Sequence, residues 1–307
     1  MAKAASIAQK LIPWRIWVQV SFLLVWLDPL AIRFHAICGA VFHCHSCPLA
    51  TFACPIGVLG QFSSLHLFPF VAVGLLIIVG GLLGGFVCGW ACPFGFLQDI
   101  AAKVPTAKWN PPRWMSYFRY VVLIGLVFVI PYFFGLGHPL FFCRVCPAGG
   151  LEASLPRAMT AALSGEQANW PNAVKISVVV VIVVAMFFIY RPWCVLFCPL
   201  GAIFGLFNRV SALFLRFHPA ACTSCNLCRT NCAIGILPDK QASDPRCIRC
   251  LECSQCPPQA LTVGSVFERT KAVGRKNNDQ TDTEITMVKC DHKAKCCSQR
   301  RPHSGQL

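Results

Sequence analysis

Charge is scarce in this sequence. Only 13% of its 307 residues are Asp, Glu, Lys or Arg, and acidic residues number 12 against 27 basic ones. With 56% hydrophobic residues and a mean hydropathy of +0.59, so few charges exclude an ordinary soluble domain and point to a polytopic membrane protein. Other absences narrow the function. No C-x-x-C-H is present, so covalent haem is excluded. No two histidines fall mid-span on facing segments, so nothing supports an intramembrane haem. No nucleotide-binding glycine motif and no hydrolytic triad occurs in a recognisable context. The net charge of +15 does not point to nucleic acid, because the basic residues are scattered and many flank apolar runs.

Four stretches are apolar enough to cross a bilayer, at about 14–34, 66–87, 118–136 and 174–191. A span needs about 20 residues. We therefore expect a mostly α fold: about four transmembrane helices in two duplicated halves, then a small C-terminal α+β ferredoxin domain. The domains expected are a cytoplasmic N-terminus at 1–12, a membrane domain at 13–215, a ferredoxin domain at 216–266 and a polar, disordered tail at 267–307. Lys3, Lys10 and Arg15 precede the first span, and Lys103, Lys108, Arg113 and Arg119 lie between the second and third. The positive-inside rule then puts both termini on the cytoplasmic side of the inner membrane, against the position of Lys175.

Cysteine is what the chain has in excess, 21 residues in short-spaced groups. Such spacing favours metal or cluster binding over cross-linking. "CTSCNLCRTNC" supplies Cys222, Cys225, Cys228 and Cys232, and "CIRCLECSQCP" supplies Cys247, Cys250, Cys253 and Cys256. Two-cluster ferredoxins take the fourth ligand of each cubane from the other motif. The expectation is two [4Fe–4S] clusters, one on Cys222, Cys225, Cys228 and Cys256, the other on Cys247, Cys250, Cys253 and Cys232. The second motif ends on an x₂ interval rather than x₃, and Ala233 stands where proline usually follows the first. A zinc ribbon is the alternative reading of these pairs.

A second pattern is written twice. "VCGWACPFGFLQD" (87–99) and "WCVLFCPLGAIFG" (193–205) each carry C-x₃-C-P-x-G after a long uncharged run. Proline after the second cysteine suits the first turn of a new helix, and a cysteine at that helix start is expected to have a lowered pKa. Cys88, Cys92, Cys194 and Cys198 would thus supply four sulfurs for a further iron–sulfur cluster or a copper centre; otherwise they are small buried residues. At the opposite ends of the spans, "CHSCP" holds Cys44 and Cys47, and "CRVCP" holds Cys143 and Cys146. These form an outer-face cluster or disulfides. Cys54-Pro55-Ile56-Gly57 also resembles Cys146-Pro147-Ala148-Gly149, which leaves the register of the duplication open. His35, His43, His45 and His138 gather on the same side, as interface residues, metal ligands or proton acceptors.

With four spans, two C-x₃-C-P motifs and eight ferredoxin cysteines, residues 10–265 resemble the NapH-like membrane ferredoxin proteins, which include the membrane core of NosR-type proteins and MauN-type maturation proteins. "CGWACP", "CVLFCP" and the ferredoxin cysteines carry the resemblance. It implies electron transfer between the quinone pool and other redox subunits, ferredoxin-like or cytochrome c, as a quinol dehydrogenase component in contact with membrane lipid. Rival readings are a reductase serving copper or disulfide chemistry in the envelope, and a metal-binding sensor or transport module.

Overall fold

The structure is a computed structural model and describes residues 12–27, 54–151, 158, 173–219, 222, 226–255 and 260–266. It is mostly helical. Helix α1 (Trp14–Leu27) covers the described part of the first apolar stretch. A short helix, α2 (Pro55–Ser64), is followed by α3 (Phe70–Leu83). The second stretch was expected to run to residue 87, but Gly84 closes α3 with φ +54°, a conformation that suits glycine. Helix α4 (Pro93–Ala101) follows.

The third stretch forms α5, an unbroken helix over Arg113–Phe134. Among the described residues it is the one helix long and apolar enough to cross a membrane; α3 and α8 (Ala173–Phe188) are apolar but shorter. Inside α5, residues Leu123–Val129 widen to a π register. Pro131 lacks the N–H that Val127 would otherwise receive, and the wider turn before it absorbs the mismatch. Between α5 and α8 lie α6 (Phe142–Val145) and α7 (Pro147–Gly149). Helix α9 (Pro199–Phe207) ends the helical part.

Strands β1 (Leu213–Phe217) and β2 (Leu261–Ser265) pair antiparallel, Leu213 opposite Ser265 and Phe217 opposite Leu261. They bracket the cysteine-rich segment.

One apolar core joins both repeats, with Ile56, Leu59, Leu76, Phe94, Val122, Val127, Ile182, Trp193 and Phe204 buried together. Close approach depends on small residues, as in membrane helix packing. A Cβ on Gly80 of α3 would fall 2.5 Å from the Phe207 ring of α9. Outward-facing positions are apolar too: Phe70, Ile78, Val121, Ile124, Phe133, Val181 and Val184 are all exposed. This belt fits lipid better than water.

Candidate functional site

The two C-x₃-C-P-x-G stretches fold as the same three-part unit. Val87–Ala91 and Trp193–Phe197 are π-helical turns, closed by Cys92 N–H to Val87 O (3.2 Å) and Cys198 N–H to Trp193 O (2.8 Å). Isolated π turns are frequent at functional sites. Cys92 and Cys198 then N-cap α4 and α9, and Pro93 and Pro199 take N1. The glycines stand at N3, where Gly95 N donates to Cys92 Sγ at 3.3 Å and Gly201 N to Cys198 Sγ at 3.4 Å. Neither position has room for a side chain. A Cβ on Gly201 would lie 2.9 Å from Cys194 O, and one on Gly95 3.0 Å from an Arg191 nitrogen. Each letter of the motif therefore has a geometric task.

These units bring their sulfurs together. Cys198 is within electrostatic range of Cys194, Cys88 and Cys92, and Cys88 of Cys92 and Cys194. Cys88 and Cys194 line one small cavity with Arg119, Gly201 and residues 245–248. Fully buried Gln98 donates to Cys194 Sγ at 3.1 Å and accepts from Trp193 N at 3.2 Å. Arg191, wholly buried, donates to Cys88 O at 2.7 Å and to both Asp99 oxygens. The expected lowering of the thiol pKa is not found. Burial, reinforced by neighbouring thiolates, pushes Cys88 and Cys198 up and Cys194 up to about 12. Desolvation outweighs the helix start because the sulfurs are enclosed. These three thiols, with Cys92 beside them, suit a bound cationic centre that displaces their protons.

In the ferredoxin segment, Cys232, Cys247, Cys250 and Cys253 line a single, almost wholly apolar pocket, together with Tyr190, Ile234, Ile236 and Leu251. This is the foursome that interleaved spacing assigns to the second cluster. Burial, first, pushes Cys247 up to about 11 and Cys250 up to about 12. Arg249 and Leu251 adopt left-handed φ of 51° and 66°, which curls the loop around the cavity. Four thiols around an apolar space are the donor set of a cubane. Among the described residues, no three His, Cys, Asp or Glu side chains close tightly enough on one point to hold a single ion. A cubane spreads its thiolates over four irons. Of the other foursome, Cys222 and Cys228 are described, while Cys225 and Cys256 lie outside the described residues.

The two cages share a wall. Cys247 and Ile248 line both cavities. Glycines from both repeats let the loop settle there: a Cβ on Gly89 would lie 2.2 Å from Ile248 O, on Gly85 2.5 Å from Cys247 O, and on Gly205 2.3 Å from Pro245 O.

Cys143 and Cys146 pack on the main core, with Cys54 beside them. Cys44 and Cys47 lie outside the described residues, as do His35, His43, His45 and the 267–307 tail. No disulfide joins the described cysteines. Spacing alone missed Gln98, Asp99, Arg191 and Arg119. Their signal was polarity inside or beside apolar runs.

Comparison with known proteins fits this picture. The family described as "4Fe-4S binding domain" matches residues 65–112 and 173–218, the two repeats with their C-x₃-C-P motifs. An uncharacterized protein of Methanocaldococcus jannaschii is 29% identical over 64% of this chain and 78% of its own length. The putative electron transport protein YccM of Escherichia coli is 26% identical over 70% of this chain and 60% of its own. The regulatory protein NosR of Pseudomonas aeruginosa is 26% identical over 62% of this chain, which spans only 27% of NosR. No solved structure matches the chain. With its repeats and relatives taken together, the chain is similar to the NosR/NapH-like 4Fe-4S proteins.

Proposed function

We propose that this chain is an integral-membrane iron–sulfur protein that moves electrons between the quinone pool, or an envelope redox partner, and [4Fe–4S] centres on the cytoplasmic side. Cys222, Cys225, Cys228 and Cys256 would hold one cluster and Cys232, Cys247, Cys250 and Cys253 a second. Cys88, Cys92, Cys194 and Cys198 would hold a third centre at the membrane face. The observation that carries this reading is the shared wall: Cys247 and Ile248 separate two thiol-lined cavities.

A [4Fe–4S] cluster in either cage would supply a one-electron carrier. The protein's own groups make that carrier workable. Gln98, Gly95 and Gly201 donate hydrogen bonds to sulfur and so favour added negative charge. Arg191 and Arg119 face the thiols with opposite charge. Ile234, Ile236 and Leu251 keep water from the ferredoxin cage. The family match and the exposed apolar belt support electron transfer at a membrane.

The test is iron and acid-labile sulfide quantitation on anaerobically purified protein, with EPR and reduction by a quinol analogue. More than about eight irons per chain is expected, since two cubanes account for eight. Cys92→Ala should keep the ferredoxin signals and interrupt reduction by quinol. Iron-free protein, or normal quinol reduction in Cys92→Ala, would overturn the reading.

A further inference from the structure

A third group of cysteines lies apart from both cages. Cys54 N-caps α2, with Pro55 at N1. Cys143 sits in α6, and Cys146 follows it as the N-cap of α7, with Pro147 at N1. Helix α2 packs against α6, and α8 packs across α6 and α7. The α2 contact is close: a Cβ on Gly60 would meet the Phe141 ring at 2.8 Å. All three sulfurs are drawn into one apolar cluster with Ile56, Phe142 and Ile182. Cys143 is within electrostatic range of Cys54 and Cys146, and Lys175 of α8 faces Cys143 and Cys146.

The sequence register now has a structural reason. Cys54-Pro55-Ile56-Gly57 and Cys146-Pro147-Ala148-Gly149 repeat the helix-opening device of Cys92 and Cys198, a cysteine N-cap followed by proline at N1. The device that assembles the membrane-face foursome is used a second time in the same bundle. Three neighbouring thiols, two of them facing an ammonium group, form a donor set rich in latent negative charge, which soft metal centres neutralise. An iron–sulfur core spreads its thiolate ligands over several irons.

Aromatic rings connect this group to the foursome. Phe142 stacks on Trp193 with centroids 6.1 Å apart, and Trp193 on Phe197 at 5.9 Å. Each ring belongs to the residue immediately before a cysteine: Cys143, Cys194 and Cys198. The hydrocarbon core is about 30 Å thick, too far for one fast hop. A station inside the bundle divides that distance.

We infer that Cys54, Cys143 and Cys146 bind a further iron–sulfur centre that exchanges single electrons with the Cys88, Cys92, Cys194 and Cys198 site past the Phe142–Trp193–Phe197 stack. One electron leaves one centre and enters the other, and no bond or proton moves. Lys175 offsets the charge that arrives. The iron at these three residues goes beyond the proposed function, while the electron exchange rests on the membrane-face centre of that reading.

The experiment uses the full-length chain, purified anaerobically in detergent and reduced with dithionite. Iron and labile sulfide are counted in wild type, Cys54→Ala, Cys143→Ala and Cys92→Ala. Cys54→Ala and Cys143→Ala should each lose the same three to four irons, roughly one cluster's worth, while the ferredoxin EPR signals persist. A loss in these two variants with none in Cys92→Ala would leave iron at Cys54, Cys143 and Cys146 but overturn the membrane-face centre and, with it, the electron exchange. Unchanged iron in both would overturn it. Alkylation of wild-type protein guards against misfolded variants. Cys54, Cys143 and Cys146 should resist iodoacetamide until iron is chelated. Equal labelling before and after chelation, or a Cys143–Cys146 disulfide in the anaerobic protein, would refute the assignment.

Discussion

Gly201 and Gln98 separate two ways of disturbing one site. The Cβ of Gly201→Ala would press on the Cys194 carbonyl, a backbone atom that cannot swing aside. On the proposed function, the expected outcome is loss of about four iron atoms assigned to the membrane-face cysteines, with ferredoxin signals retained, read by metal analysis and EPR. Gln98→Leu keeps the volume but removes the donor to Cys194 Sγ. Hydrogen bonds to sulfur are among the factors that set cluster potentials. Iron should therefore stay while the midpoint potential of that centre moves negative in a redox titration, because a donor stabilises the reduced form. The same change leaves Trp193 N–H without its acceptor, at a stability cost of about 1–3 kcal/mol.

At the scale of elements, Asp99 of α4 is the clamp. It accepts from Arg15 of α1 at 2.7 Å, from Tyr190 at 2.9 Å, and from Arg191. Arg15 also reaches Glu252 at 2.7 Å, so one guanidinium ties α1 to both the first repeat and the ferredoxin segment. Burial raises the Asp99 carboxyl, but Arg191 and Arg15 outweigh it and hold the group below its ordinary value. A depressed carboxylate contributes stability that is complete above its unfolded pKa, about 3.9, and is lost as pH falls through the lower folded value. Thermal unfolding in detergent should be insensitive to this group above about pH 5 and weaken below about pH 4. Asp99→Asn should cost about 3–5 kcal/mol at neutral pH, as breaking a buried pair does, and flatten the acid limb.

Over the whole molecule, the exposed apolar belt and the loop docked on glycines matter most. Phe70, Ile78, Val121, Phe133 and Val181 turn outward from several helices at once. An alkaline carbonate wash should leave the full chain in the membrane pellet; release into the supernatant would contradict the lipid-facing reading. Gly89→Val tests the docking between domains. Its side chain would collide with the Ile248 carbonyl, so the ferredoxin loop should lift from the membrane repeats. Both sets of iron should remain, yet electron transfer between them should slow by more than tenfold in stopped-flow reduction, the equivalent of about 1.4 kcal/mol in the barrier.

The sequence by itself determined the cysteine groups, the duplication and the apolar runs, because each is written in neighbours a few residues apart. Spacing placed Cys232 with Cys247, Cys250 and Cys253, and the four line one pocket, since the interleaved rule is itself local in form. The ends of the apolar runs were legible only roughly: Gly84 stops α3 through a backbone angle that composition does not reveal. Tertiary structure decided which sulfurs meet and what surrounds them. Cys54 joins Cys143 and Cys146 through helices distant in sequence, Gln98 and Arg191 arrive at the foursome from opposite repeats, and the glycines prove to be contact points rather than hinges. It also reversed the expectation for thiol acidity, because enclosure by the whole fold outweighs the local field of one helix start.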